Sequence, residues 1–315
     1  MSTQATPRGR IRVGLLGTGP WAELTQAPAL HAHPDVEFTG VWGRRPEAAA
    51  ALAARHDTRP YQDVDALLAD CDAVAVALPP DVQAPLAVRA ARAGRHLLLD
   101  KPLATSVAGA RQVVEAVQDT GVASVVFFTL HFDTTVDRWM RDQAAAGGWF
   151  TGRADWVTGL FSGSDSPFAA SPWRRERGAL WDVGPHALSV LLRVLGDVAD
   201  PVAVTATAGP GDTVHLALRH AGGALGTVTV THTAPLAAAG ETVELRGEHG
   251  TAVLPSERDG GGPVRAFGRA VDALRQAAAG GPAHPCDVRF ALRVTQLLAA
   301  AEERLAATGR AGAPD

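Results

Sequence analysis

Ile11-Arg12-Val13-Gly14-Leu15-Leu16-Gly17-Thr18-Gly19-Pro20-Trp21-Ala22 is the stretch on which the reading of this chain turns. Its first six residues are apolar enough for a buried strand, and G-x-G-x-x-A follows at once. In that pattern two glycines give a tight turn and let the backbone approach a pyrophosphate. Ala22 takes the third small position, where helix and strand pack. The helix that opens there offers free N–H groups to an anion. In a chain with 33 glycines the motif alone does not decide the fold; its surroundings do.

Working outward, strands and helices alternate. A helix runs to about His31, and Val36–Trp42 reads as a second strand. Residues 46–56 form an Ala-rich helix, 64–69 a short one, and 72–78 a buried strand ending at Pro79-Pro80. Residues 82–93 are helical and stop at Gly94. His96–Asp100 is a strand, Ser106 caps a helix over 107–120, and 122–130 is the last strand. Such alternation predicts a doubly wound parallel sheet, with ligands at the C-terminal ends of its strands. Gly17, Gly43, Pro79 and Lys101 all fall there. The cofactor candidates are therefore Gly17, Thr18, Gly19, Pro20, Trp21, Ala22, Gly43, Arg44, Arg45, Leu78, Pro79, Asp100 and Lys101.

A carboxylate normally ends the second strand when NAD is the ligand. Here the sequence is Trp42-Gly43-Arg44-Arg45-Pro46. Glu47 lies past the proline, where it serves the helix dipole. This predicts NADP(H) in preference to NAD(H), with Arg44 the main contact to a 2′-phosphate and Arg45 in support. The other reading is two solvated loop arginines.

Lys101 is the only lysine in the protein; every other basic chain is arginine. Arginine replaces lysine well where only a solvated charge is needed. It replaces it badly where a compact ammonium must approach one oxygen.

From about Trp149 the pattern changes to β-like segments without regular helices between them: 150–158, 202–207, 214–218, 224–231, 242–246 and 251–254. This predicts a mainly antiparallel sheet with one large open face, a candidate oligomer surface. Residues 264–279 and 287–308 are helical and are expected to pack back on the first domain. The domains are read as 1–130 and 131–315.

One segment in this half carries chemistry. Asp182 and His186 stand at i, i+4, and an aspartate beside a histidine sets its tautomer and basicity. Pro185 places the helix proper near itself, with Asp182 in an irregular lead-in. The pair reads either as an acid/base dyad or as a capping aspartate and a satisfied histidine. His131 follows the last strand of the first domain and is read as a substrate-binding candidate, expected to face the cleft. His215 and His232 fall in strands and are weaker candidates. No metal site is indicated.

Composition narrows the classes. The chain has 315 residues, 46% hydrophobic and 20% charged, with a net charge of −4. No basic block exists for nucleic acid, and no apolar run is long enough for a membrane span. Met1 to Arg10 lack the shape of a signal peptide. Two cysteines, Cys71 and Cys286, indicate no disulfide framework, so a reducing cytoplasm is expected.

These pieces together resemble the Gfo/Idh/MocA oxidoreductases. The resemblance rests on Val13 to Ala22, on Leu99-Asp100-Lys101-Pro102 and on the run from Gly178 through Asp182 to His186. It implies a Rossmann domain followed by an α+β domain whose open sheet makes homodimers or homotetramers. It also implies hydride transfer between NAD(P) and a small sugar- or cyclitol-like alcohol or ketone. By the same resemblance Lys101 holds the reacting oxygen, His186 moves the hydroxyl proton and Asp182 orients it and binds substrate. Trp173 and Arg174 match a loop that lines the cleft. Asp100 stands for the usual glutamate, Ser189 for a second aspartate and Gln83 for a histidine. A cofactor-binding regulator without turnover, or chemistry without net redox, is the alternative.

Overall fold

The strands β1 (Ile11–Leu16), β2 (Val36–Trp42), β3 (Arg59–Tyr61), β4 (Ala73–Val76), β5 (His96–Asp100) and β6 (Ser124–Phe127) form one sheet. Their order is β3-β2-β1-β4-β5-β6, and every pair is parallel. The middles of the central strands are apolar because both faces are covered: Leu15, Leu16, Val74, Ala75, Leu97 and Leu99 are all excluded from solvent. Between the strands run α1 (Ala27–Ala32), α2 (Pro46–Arg55), α3 (Val64–Asp70), α4 (Pro80–Arg92) and α5 (Val107–Thr120). Ser106 caps α5 by accepting from Gly109 N, and Gly121 ends it with φ 69°. The order reverses between β1 and β4, the switch point of a Rossmann sheet.

The computed structural model describes residues 9–163, 165–200 and 204–311. Met1 to Arg8, on which the reading of the N-terminus partly rested, lie outside the described residues. The chain divides into two units. One takes the chain up to Phe132 with Gly261–Leu292; the other takes Asp133–Gly260 and the chain from Arg293 on. Among the described residues no helix is long and apolar enough to cross a membrane.

In the first unit the expected last strand is shorter than read. β6 stops at Phe127, and a 3-10 turn, Thr129–Phe132, follows. β3 was not read at all: three residues that include Arg59 and Pro60 carry no apolar period. A late helix, Gly262–Ala278, completes this unit.

The second unit begins with α6 (Thr134–Ala146), which the sequence reading passed over although Asp133 caps it through Thr135 N and Val136 N. Then come β7 (Trp149–Val157), α7 (Pro172–Asp182), α8 (Gly184–Leu195), β8 (Val204–Ala208), β9 (Val214–Arg219), β10 (Leu225–Thr231), β11 (Gly240–Gly247) and β12 (Gly250–Val253). The expected strand over 202–207 begins on Val202 and Ala203, which lie outside the described residues. The sheet order is β12-β11-β7-β10-β9-β8. All its pairs are antiparallel except β7 with β10, so Val157 and Thr231 end side by side.

The last helices are α9 (Gly262–Ala278) and α10 (Val288–Ala311). Ala266, Phe267, Ala270, Val271 and Leu274 form the buried stripe of α9, and Phe267 meets Phe127 edge-on at 5.0 Å.

Two sheltered imidazoles, the buried His220 and the half-buried His96, make stability depend on pH. Burial lowers the pKa of His220 and of His96 from the ordinary 6.5. His220 Nδ1 lies 2.7 Å from Gly196 O, and His96 Nδ1 accepts from Ala123 N. A lowered folded pKa means that the unfolded chain binds protons first. Their contribution is whole above about pH 6.5 and is lost as pH falls towards the folded values. The urea midpoint should therefore drop from pH 8 to pH 6, and drop less in His220→Asn, whose amide keeps the bond to Gly196; equal drops would remove the assignment.

Candidate functional site

In the first unit the G-x-G-x-x-A turn is shaped by backbone constraints. Gly17 has φ +130°, and a Cβ there would lie 2.3 Å from Ala77 O, so no other residue fits between β1 and the end of β4. Gly17 N donates to Trp42 O and Ala77 N to Leu16 O, which locks the three strand ends together. At Gly19 a Cβ would meet nothing within 4 Å. Tight packing below Gly17 and open space at Gly19 suit a dinucleotide lying along the turn. Pro20 opens the helix, which passes through a π-helical turn, Ala22–Gln26, before α1. A Cβ on Gly43 would strike Thr18, so the chain after β2 also packs on this turn. Leu78 and Pro79 are half-buried after β4.

Lys101 leaves the end of β5, two strands from β1 in the same sheet. Its backbone N donates to Asp100 Oδ1, and Gln26 Nε2 reaches Asp100 Oδ2 at 3.4 Å. The Lys101–Pro102 bond is cis. Gln83 holds this turn. It is fully buried on α4; its Oε1 accepts from Asp100 N, and its Nε2 reaches the carbonyls of Asp100, Pro102 and Leu103 at 2.8, 3.1 and 3.2 Å. Gln83, which stands where the family often has a histidine, is a clamp on the lysine-bearing turn. Gln83→Leu keeps the volume but strands these buried groups. It should cost about 2–4 kcal/mol, read as a lowered urea midpoint; a loss under 1 kcal/mol would show that the turn holds itself.

His131 is 5% exposed and sits in an aromatic cage, edge-on to Phe128 and Phe290. Cys71 and Cys286 are buried and in no disulfide, and burial pushes the Cys71 thiol up to about 11. Among the described residues His33, Asp35 and Asp272 have metal-like spacing. Arg275 already lies 2.8 Å from Asp35 and 3.3 Å from Asp272, so a cation is in place.

In the second unit Asp182 ends α7 and His186 is the third residue of α8, with Val183 between the helices. Val183 keeps a right-handed helical backbone between the two helices, and Pro185 has no N–H to continue the ladder of α7 into α8. Asp182 is 7% exposed at its side chain, and its Oδ2 receives Arg174 Nε at 2.8 Å. The same oxygen lies 3.2 Å from His232 Nε2. His186 stacks on Trp156 of β7 at 6.3 Å with the rings within 13° of parallel. Arg174 is held over Trp173 and Phe168. Ser189 donates to His186 O. His232, which the sequence ranked low, thus joins Asp182 and Arg174; a strand-end histidine after Thr-Val-Thr carries no local signal for this.

Asp212 organises the cluster from behind. Its Oδ1 accepts from His232 N, Thr231 Oγ1 and Thr233 Oγ1, and its Oδ2 from Ala179 N. Ala179 follows Gly178, whose φ of 64° turns the chain into the last segment of α7.

Residues 11–128 match the model of an oxidoreductase family with an NAD-binding Rossmann fold, and residues 150–253 match the GFO/IDH/MocA C-terminal domain. The chain belongs to the GFO/IDH/MocA family. A relative from Streptomyces violaceoruber, dTDP-3,4-didehydro-2,6-dideoxy-alpha-D-glucose 3-reductase, is 32% identical over 190 residues, 59% of this chain. The match spans 55% of that relative, little more than half its length. The crystal structure of GenD2 from gentamicin A biosynthesis, in complex with NAD, has a TM-score of 0.79 at 25% identity and covers 97% of each chain. Levoglucosan dehydrogenase in complex with NADH and levoglucosan has a TM-score of 0.82 at 20% identity, over 95% of this chain and 97% of that one; the likeness is one of fold.

The expected preference for NADP(H) is corrected by these relatives, which hold NAD and NADH. The physical reason lies in Arg44 and Arg45. Both are exposed on the turn between β2 and α2. A solvated guanidinium serves a ribose hydroxyl or an adenine face as well as a phosphate, so the missing carboxylate did not select a 2′-phosphate.

Proposed function

We propose that this protein is an NAD(H)-dependent oxidoreductase of a small carbohydrate-like alcohol or ketone. The observation that carries the reading is the sole lysine, clamped at the end of β5 in the sheet that also presents the Gly17–Gly19 turn. Bound NAD would supply the hydride acceptor. Gly17, Thr18, Gly19 and the start of the helix at Pro20 would hold its pyrophosphate, with Arg44 and Arg45 beside the adenosine ribose. The Lys101 ammonium steadies the substrate oxygen as negative charge develops on it. His186 takes the hydroxyl proton on oxidation and returns it on reduction. Asp182 accepts hydrogen bonds and orients the site, with Trp173 and Arg174 on the substrate side. The relative that reduces a dTDP-bound keto sugar supports a sugar-like substrate.

Oligomerisation through the second sheet belongs to the same proposal. Thr205, Ala217, Thr227, Arg153, Glu244 and Val253 form one cross-strand row over the sheet, and all but the half-buried Glu244 are exposed. Light scattering after size exclusion checks it: a dimer or tetramer is expected, and a monomer would remove it. A cytoplasmic setting fits two buried cysteines that are in no disulfide.

The deciding experiment is NADH appearance when the purified protein is given NAD with myo-inositol, D-glucose, levoglucosan and ethane-1,2-diol in turn. Turnover with a polyol or sugar supports the reading. Silence from all four in both directions, with NADH still bound, would move it to a binding protein without turnover.

A further inference from the structure

We propose that His232, backed by Thr158, is a positioning residue that fixes the carboxylate of Asp182 for the reaction; this rests on the reading of Asp182 above. His232 follows β10 and is 1% exposed. Its Nε2 lies 3.2 Å from Asp182 Oδ2, and its Nδ1 lies 2.8 Å from Thr158 Oγ1. A carboxylate only accepts, so the proton belongs on Nε2. In the neutral ring Nδ1 then accepts from the Thr158 hydroxyl. The result is a Thr158-backed imidazole whose Nε2 faces Asp182 Oδ2 within ion-pair distance, off the line of a hydrogen bond.

The ring has little freedom to leave this position. Its backbone N donates to Asp212 Oδ1 and its backbone O accepts from Phe161 N. Phe161 packs edge-on against the ring at 5.3 Å. Thr158 is tied into the same place: its N donates to Thr231 O, and its O accepts from Ala234 N. Both residues therefore sit at the paired ends of β7 and β10, the one parallel contact of the sheet.

Arg174 and His232 meet the same oxygen of Asp182 from different supports. Arg174 belongs to α7 and leans on Trp173 and Phe168. His232 belongs to the sheet. One partner compensates the charge; the second removes the carboxylate's freedom to turn about its last bond. Asp182 also ends α7 just before α8 brings in His186, whose ring rests on Trp156 of β7. Sheet contacts thus set the orientation of both polar groups that the reaction is proposed to use, and His232 is the one that acts through Asp182.

The test uses the full chain with NAD and the substrate found among the four compounds above. His232→Leu should lower kcat about 100-fold, with the NADH dissociation constant within twofold. His232→Gln restores a donor near the position of Nε2 and should recover most of that loss. Thr158→Val should lower kcat a few-fold and move the acidic limb of the kcat/KM profile. In 15N-labelled protein the His232 imidazole should be protonated on Nε2 and should respond to Asp182→Asn. Turnover in His232→Leu within twofold of wild type overturns the role. So does parallel loss of kcat and Tm in His232→Leu and His232→Gln, the mark of a structural residue, and so does an Nδ1-protonated ring. Wild-type silence with every compound overturns the reading of the site itself, and the role with it.

Discussion

Lys101→Arg should leave NADH affinity within about twofold and lower kcat by about 10²–10³-fold. The charge survives; the geometry does not. An ammonium is a compact donor on a flexible stem, whereas a guanidinium is a planar fork that spreads its charge. Room for the larger head would have to come from the backbone, and the backbone is held. Gln83 engages Asp100 N and the carbonyls of Asp100, Pro102 and Leu103. Pro102, Leu103 and Ala104 are buried behind the turn. The turn cannot step back to seat an arginine, so the reacting oxygen loses its partner while the Gly17–Gly19 turn keeps the cofactor. Fluorescence titration with NADH beside steady-state turnover separates the two effects. Turnover within threefold of wild type would remove Lys101 from the chemistry; loss of NADH binding in proportion would make it a cofactor contact only.

His186→Ala should lower kcat by about 10²–10⁴-fold and erase one limb of the pH–rate profile. His186 is half-buried at the first turn of α8, and its ring is held against the Trp156 indole. Removing it leaves the hydroxyl proton to water. Exogenous imidazole should restore part of the rate, because the stack on Trp156 leaves a slot of the right shape. A variant that keeps both limbs of the profile would assign the proton to another group.

Much of the first unit could be read from the chain because its signals are local. The Gly17 turn, the apolar strands and the caps at Ser106 and Gly121 each act within a few residues. The failures share another cause. β3 is made by its neighbour: Arg59, Pro60 and Tyr61 extend only because β2 offers an edge. His131 was placed by its position after a strand, but the packing of Phe128 and Phe290 decided its surroundings. The NADP expectation took two arginines for a phosphate site because a missing carboxylate is only negative evidence.

The sequence by itself determined most of the alternating strands and helices of the first unit, the parallel sheet, the Gly17 turn and the solitary lysine. Periodicity and turn chemistry suffice for these, since each depends on neighbours along the chain. Only the tertiary structure decided what Asp182 pairs with, that Gln83 clamps the Lys101 turn, and that Asp212 ties His232 to α7. Those contacts join residues from α4, β5 and α7, from the turn between β8 and β9 and from just past β10, that lie far apart in the chain. A buried polar group takes whichever partner the closed fold brings within reach, and no pattern along the chain records that choice.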